Sequence, residues 1–283
     1  CGGYIQIYNI SNYKLENEIL ITEDNICSMI NINNIIMIGT STGKIYVYSN
    51  EYKRLFIIND HSSAITTMLE VTIVSTTSTT GLLSTLWSAD IDGNIYVYKK
   101  PDKKPKLKHK LKLDKYIGCM LQTENIVLVG TENDILALSS ESLSCVSVWK
   151  GHKTNVSSIV SHHNRIWSCS CDGSIFVWDF QFKDNTPITG PLTAHSSRIF
   201  CLLSFKGYIF AGSFDKTISV WDPEKKILIQ ELRHHKDGIS SLLAVSQDTF
   251  WSGTLDGDGT IGIWSCLKTE VPLLIRLNRQ ESL

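Results

Sequence analysis

Residues 166–179 read Ile166-Trp167-Ser168-Cys169-Ser170-Cys171-Asp172-Gly173-Ser174-Ile175-Phe176-Val177-Trp178-Asp179. Apolar, aromatic and β-branched residues on both sides of Asp172-Gly173 suit pleated, half-buried strands. The Asp-Gly pair allows the chain to reverse tightly between them. The stretch therefore predicts a β-hairpin.

The second strand of this hairpin recurs along the chain. Seven four-residue copies end 40 to 50 positions apart, at residues 5–8, 45–48, 95–98, 135–138, 175–178, 218–221 and 261–264. A period of about 40 to 45 residues is the length of one four-stranded propeller blade. The sequence therefore predicts an all-β fold with a seven-bladed β-propeller pattern.

The repeats divide the chain into one predicted domain over residues 1–283. The expected blades are 1–22, 23–60, 61–113, 114–150, 151–193, 194–234 and 235–283. The first is only half present, since residues 4–8 and 14–21 supply a third and a fourth strand without the two inner ones, whereas residues 271–277 complete the last blade. We expect about 25 residues upstream of Cys1, in a longer protein, to supply the missing pair and remove the open sheet edge.

Histidines stand at a fixed place in four repeats. His61, His152, His195 and His235 each precede the first apolar residue of an inner strand by four positions. The full pattern includes Gly151-His152, Asp172 and Trp178-Asp179, and again Ala194-His195, Asp215 and Trp221-Asp222. It resembles the WD-repeat, G-beta-like β-propeller family over nearly the whole chain. This resemblance is specific for fold and much less so for function.

The resemblance implies a structural, hydrogen-bonded tetrad of a His, a second-strand Ser or Thr, a turn Asp and a Trp. The residues at these places are His152, Ser168, Asp172 and Trp178; His195, Asp215 and Trp221; and His235, Ser252 and Trp264, with either Asp256 or Asp258. Other repeats depart from the pattern. Tyr48 and Tyr98 replace the Trp, residues 120–148 lack both His and Trp, and Ala211 occupies the Ser position.

Composition and motifs argue against several classes of function. A net charge of -1 and a pI near 6.8 predict no specific nucleic-acid partner. No apolar run approaches the roughly 20 residues of a membrane span. Catalytic sets and phosphate-binding glycine loops are missing, so we expect no enzyme, no cofactor and no metal site. The eight cysteines lack disulfide or zinc spacing, which favours reduced thiols in a cytoplasmic protein, with the nucleus as an alternative.

A lysine-rich strand is predicted at residues 106–113. Strict alternation would place Lys106, Lys108, Lys110 and Lys112 on one face, opposite three leucines. Lysines on an edge strand prevent aggregation of sheets. The alternative is a surface that binds an anionic membrane peripherally, or another anionic partner.

The predicted function is a scaffold or docking domain that binds peptides or partner proteins on its rim, within a signalling or regulatory assembly. Large or charged residues beside the turns are the candidate contacts: Ile91, Lys153, Arg198, Phe214 and Lys236. As an alternative, the resemblance implies the non-catalytic propeller of a larger signalling enzyme or a ubiquitin-ligase substrate receptor. Such enzymes include Rho-type exchange factors, inositol polyphosphate phosphatases and Roco-type kinases. The sequence indicates neither the partner nor the oligomeric state.

Overall fold

Antiparallel strands form the regular structure of the chain. The computed structural model describes residues 3–74, 82–99, 104–179, 185–255 and 260–266, and these contain β-strands and no helix. The strands are β1 (Gly3–Tyr8), β2 (Leu15–Thr22), β3 (Ile26–Ile32), β4 (Ile35–Thr40), β5 (Ile45–Ser49), β6 (Arg54–Ile58), β7 (Ile65–Val74), β8 (Leu82–Asp90), β9 (Asn94–Lys99), β10 (Lys106–Lys112), β11 (Cys119–Thr123), β12 (Ile126–Gly130), β13 (Asp134–Ser139), β14 (Cys145–Lys150), β15 (Val156–His162), β16 (Arg165–Ser170), β17 (Ser174–Asp179), β18 (Thr189–Thr193), β19 (Ile199–Phe205), β20 (Tyr208–Ser213), β21 (Thr217–Asp222), β22 (Ile227–Arg233), β23 (Ile239–Ala244), β24 (Thr249–Thr254) and β25 (Ile261–Ser265).

The strands form six small sheets and one isolated pair. Each sheet keeps its strands in chain order, and we call the six blade A (β3–β6), blade B (β7–β10), blade C (β11–β14), blade D (β15–β18), blade E (β19–β22) and blade F (β23–β25). β1 and β2 form a separate two-stranded sheet, the N-terminal hairpin. The predicted all-β propeller fold is confirmed with six blades, and the count of seven stays a prediction. The strand expected at residues 271–277 lies outside the described residues.

A common irregularity marks the first strand of five blades. The register shifts between Ile26 and Ser28, Ile65 and Thr67, Val156 and Ser158, Ile199 and Cys201, and Ile239 and Ser241. Each shift lies near the start of an inner strand, where a bulge bends the strand and increases its twist. The blades therefore share a backbone detail that the strand pattern of the sequence does not show.

Contacts between Cα atoms divide the chain into two units. Unit 1 is residues 1–131 with 137–146, and unit 2 is residues 132–136 with 147–283. In unit 1, β7 contacts β3 and β11; in unit 2, β19 contacts β15 and β23. Fully buried apolar side chains fill the spaces between neighbouring blades of each unit, among them Ile45, Val47 and Leu86 in unit 1 and Trp167, Val177 and Ile209 in unit 2. Burial of each such side chain stabilises the fold by about 1.5–3 kcal/mol.

Two glycines permit close approach of consecutive blades. A Cβ on Gly39 would lie 2.7 Å from Cγ2 of Ile65, and a Cβ on Gly212 would lie 2.7 Å from Cγ2 of Ile239. Both isoleucines are fully buried in the first strand of the following blade. A side chain at either glycine would therefore push an inner strand out of its packed position.

Polar side chains also join inner strands within each unit. In unit 1, the Gln122 side chain accepts a hydrogen bond from the Thr72 amide (2.9 Å) and donates one to the Thr72 carbonyl (2.6 Å). In unit 2, Oγ of Ser158 accepts a 3.1 Å hydrogen bond from the Leu202 amide. These bonds satisfy main-chain groups that no ladder partner reaches, so they fix the position of one blade against the next.

Candidate interaction face

Blade D brings together the first set of implied tetrad residues. Nε2 of His152 lies 2.7 Å from Oγ of Ser168, which accepts a 2.8 Å hydrogen bond from Nε1 of Trp178. Asp172 is connected to His152 indirectly, because Oγ of Ser174 donates to its carboxylate and lies 3.3 Å from Nδ1 of His152. Ser174 is the residue that sequence reasoning missed.

The protonation of this network follows from its geometry. Because Ser168 accepts from Trp178, its own hydroxyl proton is available to Nε2 of His152, which leaves the imidazole proton on Nδ1. Burial lowers the pKa of His152 to about 4. Burial raises the pKa of Asp172, but hydrogen bonds from Ser174 outweigh it and hold that pKa below its usual value. The network therefore contains a neutral imidazole and an ionised carboxylate at neutral pH.

Blade E builds the same network with a different serine. His195 contacts Asp215 through Nδ1 (2.9 Å) and Ser219 through Nε2 (2.7 Å), and Nε1 of Trp221 donates to Ser219 over 2.8 Å. Ser219 lies on the third strand, directly opposite Ala211 on the second. Side chains directly opposite in an antiparallel pair share a face. The hydroxyl missing at Ala211 is therefore supplied from across the ladder.

Blade B contains a further network that the tetrad assignment left out. His61 is buried between Ser88, 2.6 Å from Nε2, and Asp90, 2.8 Å from Nδ1. Asp90 is the last residue of β8, and its carboxylate also accepts hydrogen bonds from the side chain of Asn94 and from the amides of Asn94 and Asp92. The sequence signal for this set was the position of His61, four residues before the first apolar residue of its inner strand, as for the other three histidines.

Blade F contains only part of a set within the described residues. Nε2 of His235 lies 2.6 Å from Oγ of Ser252, which accepts a 2.7 Å hydrogen bond from Nε1 of Trp264. Both candidates for the acidic member, Asp256 and Asp258, lie outside the described residues.

One main-chain hydrogen bond repeats from blade to blade, between the end of the second strand and the start of the first. The residue that follows the second strand donates its amide to the carbonyl of the residue that precedes the first strand. The pairs are Ser41 to Asn25, Ile91 to Ala64, Cys171 to Asn155, Phe214 to Arg198 and Leu255 to Gly238, at 2.8 to 3.0 Å. We call the five donors the turn positions. The bond fixes the backbone at each, so their side chains project from a rigid base.

The five candidate partner-binding residues are all exposed. Ile91 (47%) and Phe214 (50%) occupy turn positions. Arg198 supplies the carbonyl that anchors Phe214. Lys153 directly follows buried His152, and Lys236 directly follows half-buried His235. In unit 2 the surface therefore combines one large aromatic side chain with three exposed cations.

A family model described as WD domain, G-beta repeat matches residues 143–179 and 186–222. The two ranges include the His152 and His195 networks. The chain contains WD repeats. Blades A, B, C and F of this WD-repeat chain lie mostly outside the matched ranges, and blades B and F contain a His–Ser contact of the same kind.

Curated relatives of the WD-repeat chain match it over limited stretches. A probable serine/threonine-protein kinase, pats1 of Dictyostelium discoideum, is 34% identical over 27% of this chain and 2% of its own length. Coatomer subunit beta'-2 of Arabidopsis thaliana is 28% identical over 35% of this chain and 11% of its own. The WD repeat-containing protein 55 homolog of Dictyostelium discoideum is 25% identical over 50% of this chain and 35% of its own. The matches thus span well under half of each relative.

A solved structure supports the fold over nearly the full length. The crystal structure of the computationally designed Ika8 protein superimposes with a TM-score of 0.70 at 22% identity, over 97% of this chain and 80% of the designed one. At this identity the similarity speaks for the fold alone.

The lysine-rich strand of the WD-repeat chain, β10, differs from its prediction. The register against β9 shifts between Leu107 and His109, so that Lys108 is an extra residue in a bulge. Lys106 lies opposite Lys99, whereas Lys110 lies opposite Tyr96, on the other face of the sheet. The predicted single face of four lysines is therefore wrong, because the bulge reverses the alternation.

Two of the four lysines have partners within blade B and its flanking turn. Nζ of Lys110 lies 4.8 Å from the centre of the Tyr96 ring, which in turn packs 4.1 Å from the His61 ring. Lys112, opposite Asn94 on that same face, forms a 2.8 Å ion pair with Asp114. These contacts favour a structural role for Lys110 and Lys112, and leave Lys106 and Lys108 as the candidate anion-binding residues.

In the part of the chain that the structure describes, no group of three or more His, Cys, Asp or Glu side chains is arranged to hold a metal ion. No helix among the described residues is long and apolar enough to cross a membrane.

Proposed function

We propose that this WD-repeat chain is a non-catalytic scaffold that binds peptides or partner proteins through its turn positions. The observation that carries this proposal is the repeated main-chain bond that anchors exposed Ile91 and Phe214, each of which is next in sequence to the aspartate of a histidine network. A rigid, exposed aromatic or aliphatic side chain loses little conformational entropy on binding, which is typical of binding hot spots.

The chain would serve as the propeller part of a larger cytoplasmic regulatory assembly. One relative is named a probable kinase, and another, of Medicago truncatula, a putative E3 ubiquitin-protein ligase LIN, which is 38% identical over 25% of this chain and 5% of its own length. In both, the matched stretch is a small part of a long protein, which is the arrangement expected if the propeller brings partners to an activity located elsewhere.

The test is an unbiased peptide-display selection against the 283-residue chain. Binding of the selected peptides to the unchanged chain is compared with their binding to three variants. These are Ile91→Asp and Phe214→Asp at turn positions, and Leu228→Asp as a control on β22. Leu228 is 42% exposed, similar to the other two. Loss of binding in either turn variant, but not in the control, supports the scaffold. A selection that yields no binder, or only binders sensitive to Leu228→Asp, contradicts it.

Lys106 and Lys108 support a second, lesser proposal of peripheral binding to anionic membranes. Both side chains are exposed, and Lys99 lies directly opposite Lys106, which concentrates positive charge at one end of β10. Each lysine near an anionic surface contributes about 1 kcal/mol. Sedimentation with phosphatidylserine vesicles should decrease for Lys106→Gln with Lys108→Gln and stay the same for Lys112→Gln. Equal sedimentation of all variants would remove the proposal.

A further inference from the structure

A crevice lies between blades D and E of unit 2, at the strand ends opposite to the turn positions. His163 and Asn164 connect β15 to β16, and residues 223–226 connect β21 to β22. The crevice is lined by residues 163–165 and Asp179 of blade D and by Pro223, Glu224 and Lys226 of blade E. We call it the D–E crevice. Its volume of about 470 Å³ is that of a small-molecule site, and its lining is polar apart from Pro223.

Strand pairing in blade D places two charged side chains in one wall of the crevice. Trp167 and Val177 lie directly opposite each other and pack in the core that blades D and E share. Arg165 and Asp179 are likewise opposite each other, two residues along β16 and β17, so they lie on the same face of the sheet. Nη1 of Arg165 lies 3.7 Å from Oδ2 of Asp179. The charges of this wall are therefore paired with each other.

A fixed turn carries the charges of the other wall. The Asp222 carboxylate accepts hydrogen bonds from the amides of Glu224 and Lys225, each over 2.9 Å, and the Lys226 amide donates to the Asp222 carbonyl over 2.8 Å. Among the described residues, the side chains of Glu224 and Lys226 form no ion pair or hydrogen bond, with each other or with a third residue. One anion and one cation are therefore available to a ligand of the crevice.

The formal charges of the lining are balanced. Arg165 and Lys226 are matched in number by Asp179 and Glu224. Residues 180–184, which follow Asp179 and lie outside the described residues, contain one lysine and one aspartate and leave this balance unchanged. A simple anion or a simple cation would leave either Glu224 or Lys226 unmatched, whereas a ligand with both charges matches the two side chains.

A fully buried donor lies on the same face of blade D as the crevice wall. Nε1 of Trp167 has no hydrogen-bond partner among the described residues. In blade B the equivalent Trp87, also opposite a valine of the third strand, donates to Oγ1 of Thr85, two residues earlier. Arg165 occupies that position in blade D and offers no acceptor. A ligand oxygen beside Arg165 would satisfy this N–H, which is unfavourable when left unpaired.

We propose that the D–E crevice binds a free α-amino acid with a polar, uncharged side chain. Its carboxylate contacts Lys226, its ammonium group contacts Glu224, and an oxygen of the ligand accepts from Trp167. Glu224 and Lys226 are two residues apart on one turn, which suits a ligand that carries both charges on a single carbon. The inference goes beyond the scaffold function, because the crevice contains none of the turn positions and either proposal can fail without the other.

Titration of the 283-residue chain with small ligands tests the chemistry. The probes are L-serine, L-threonine, L-asparagine and L-glutamine, each compared with its N-acetyl and its carboxamide derivative, which lack one of the two charges. At least one amino acid should bind at millimolar concentration or below, and both of its derivatives should bind at least about tenfold more weakly. Binding of none of the four, or equal binding of an amino acid and either derivative, would overturn the proposal.

Variants of the chain locate the binding. Lys226→Gln and Glu224→Gln each remove one matched charge and should weaken binding about tenfold. Lys225→Gln, exposed in the same turn but outside the lining, is the matched control. Circular dichroism melting curves check that each variant folds. In NMR spectra, the indole N–H resonance of Trp167, assigned with Trp167→Phe, should shift when the amino acid binds. Normal binding by folded Lys226→Gln, or an unshifted Trp167 resonance, would place the ligand elsewhere and overturn the proposal.

Discussion

His152 should make the stability of the chain depend on acid. The folded state binds a proton on His152 only below a pKa of about 4, whereas the unfolded chain binds one below about 6.5. As pH falls through this window, the unfolded state binds a proton that the folded state does not bind. The free energy of unfolding therefore decreases with falling pH. The full effect is about 3 kcal/mol. Urea unfolding at pH 7.5 and at pH 4.5 measures it.

The matched comparison is between two histidine-to-glutamine variants. His152→Gln should lower stability at pH 7.5 but lose part of the pH dependence, whereas His109→Gln, at an exposed position on β10, should retain it. An unchanged pH dependence in His152→Gln would mean that His152 has the same pKa in the folded and the unfolded chain, and would contradict the prediction.

Ser219 should stabilise blade E although it lies on the third strand. Ser219→Ala leaves Nε2 of His195 and Nε1 of Trp221 without their shared partner, and an unsatisfied buried polar group costs about 1–3 kcal/mol. Adding Ala211→Ser to this variant places a hydroxyl directly across the ladder and should recover part of the loss. The free energy of unfolding in urea checks both.

Ser196→Ala, at an exposed position, serves as the control for removal of a hydroxyl. If Ser219→Ala were as stable as this control, the hydrogen bonds to Ser219 would contribute nothing measurable to the free energy of unfolding. If Ala211→Ser failed to restore stability, the second-strand position in blade E would not be equivalent to Ser168 in blade D.

Sequence alone identified the histidines but not all of their partners. His61, His152, His195 and His235 each stand four residues before the first apolar residue of an inner strand, and this offset survives substitution elsewhere in a blade. Ser219 was missed because only the strand register reveals that it faces Ala211. Ser174 was missed because the positions of His152 and Asp172 in the sequence do not indicate that a third side chain connects them.

At the scale of elements, Gln122 should fasten β11 to β7 in unit 1. Its side chain bonds both the amide and the carbonyl of Thr72, so Gln122→Ala leaves two main-chain groups unpaired, at a cost of about 1–3 kcal/mol. Amide exchange at Thr72 should accelerate, as measured by NMR. Gln247→Ala, at an exposed position between β23 and β24, should change neither quantity. An unaffected Thr72 amide in Gln122→Ala would contradict the role.

Strand β10 shows where element-level prediction fails. Alternating lysines from Lys106 to Lys112 give a perfect period of two, and nothing in that pattern marks a bulge at Lys108. The bulge arises from pairing with β9, where Tyr96 packs on His61 and Lys110 covers the Tyr96 ring. Burial of the aromatic residue sets the register, and the exposed lysines follow it.

At the scale of the whole molecule, the fold was predictable because each blade is local in sequence. Strands pair with the strands that come before and after them in the chain, so a repeat of 40 to 50 residues already contains the full hydrogen-bonded unit. The close approach of Phe214 and Leu255 to Gly238 was not predictable, because these residues lie 24 and 17 positions from Gly238 and only the packing of blades E and F brings them together.

The N-terminal hairpin should be the first sheet to open. Ile5, Ile19 and Ile21 pack on Ile38, Tyr46 and Tyr48 of blade A, yet β1 pairs with β2 alone among the described residues, and a two-stranded sheet is only marginally stable. Hydrogen exchange followed by mass spectrometry should therefore show residues 3–22 losing protection before β16 and β17, which are central strands of blade D. Equal protection of the two regions would contradict this prediction and would mean that packing on blade A holds the hairpin as firmly as the ladders hold a four-stranded blade.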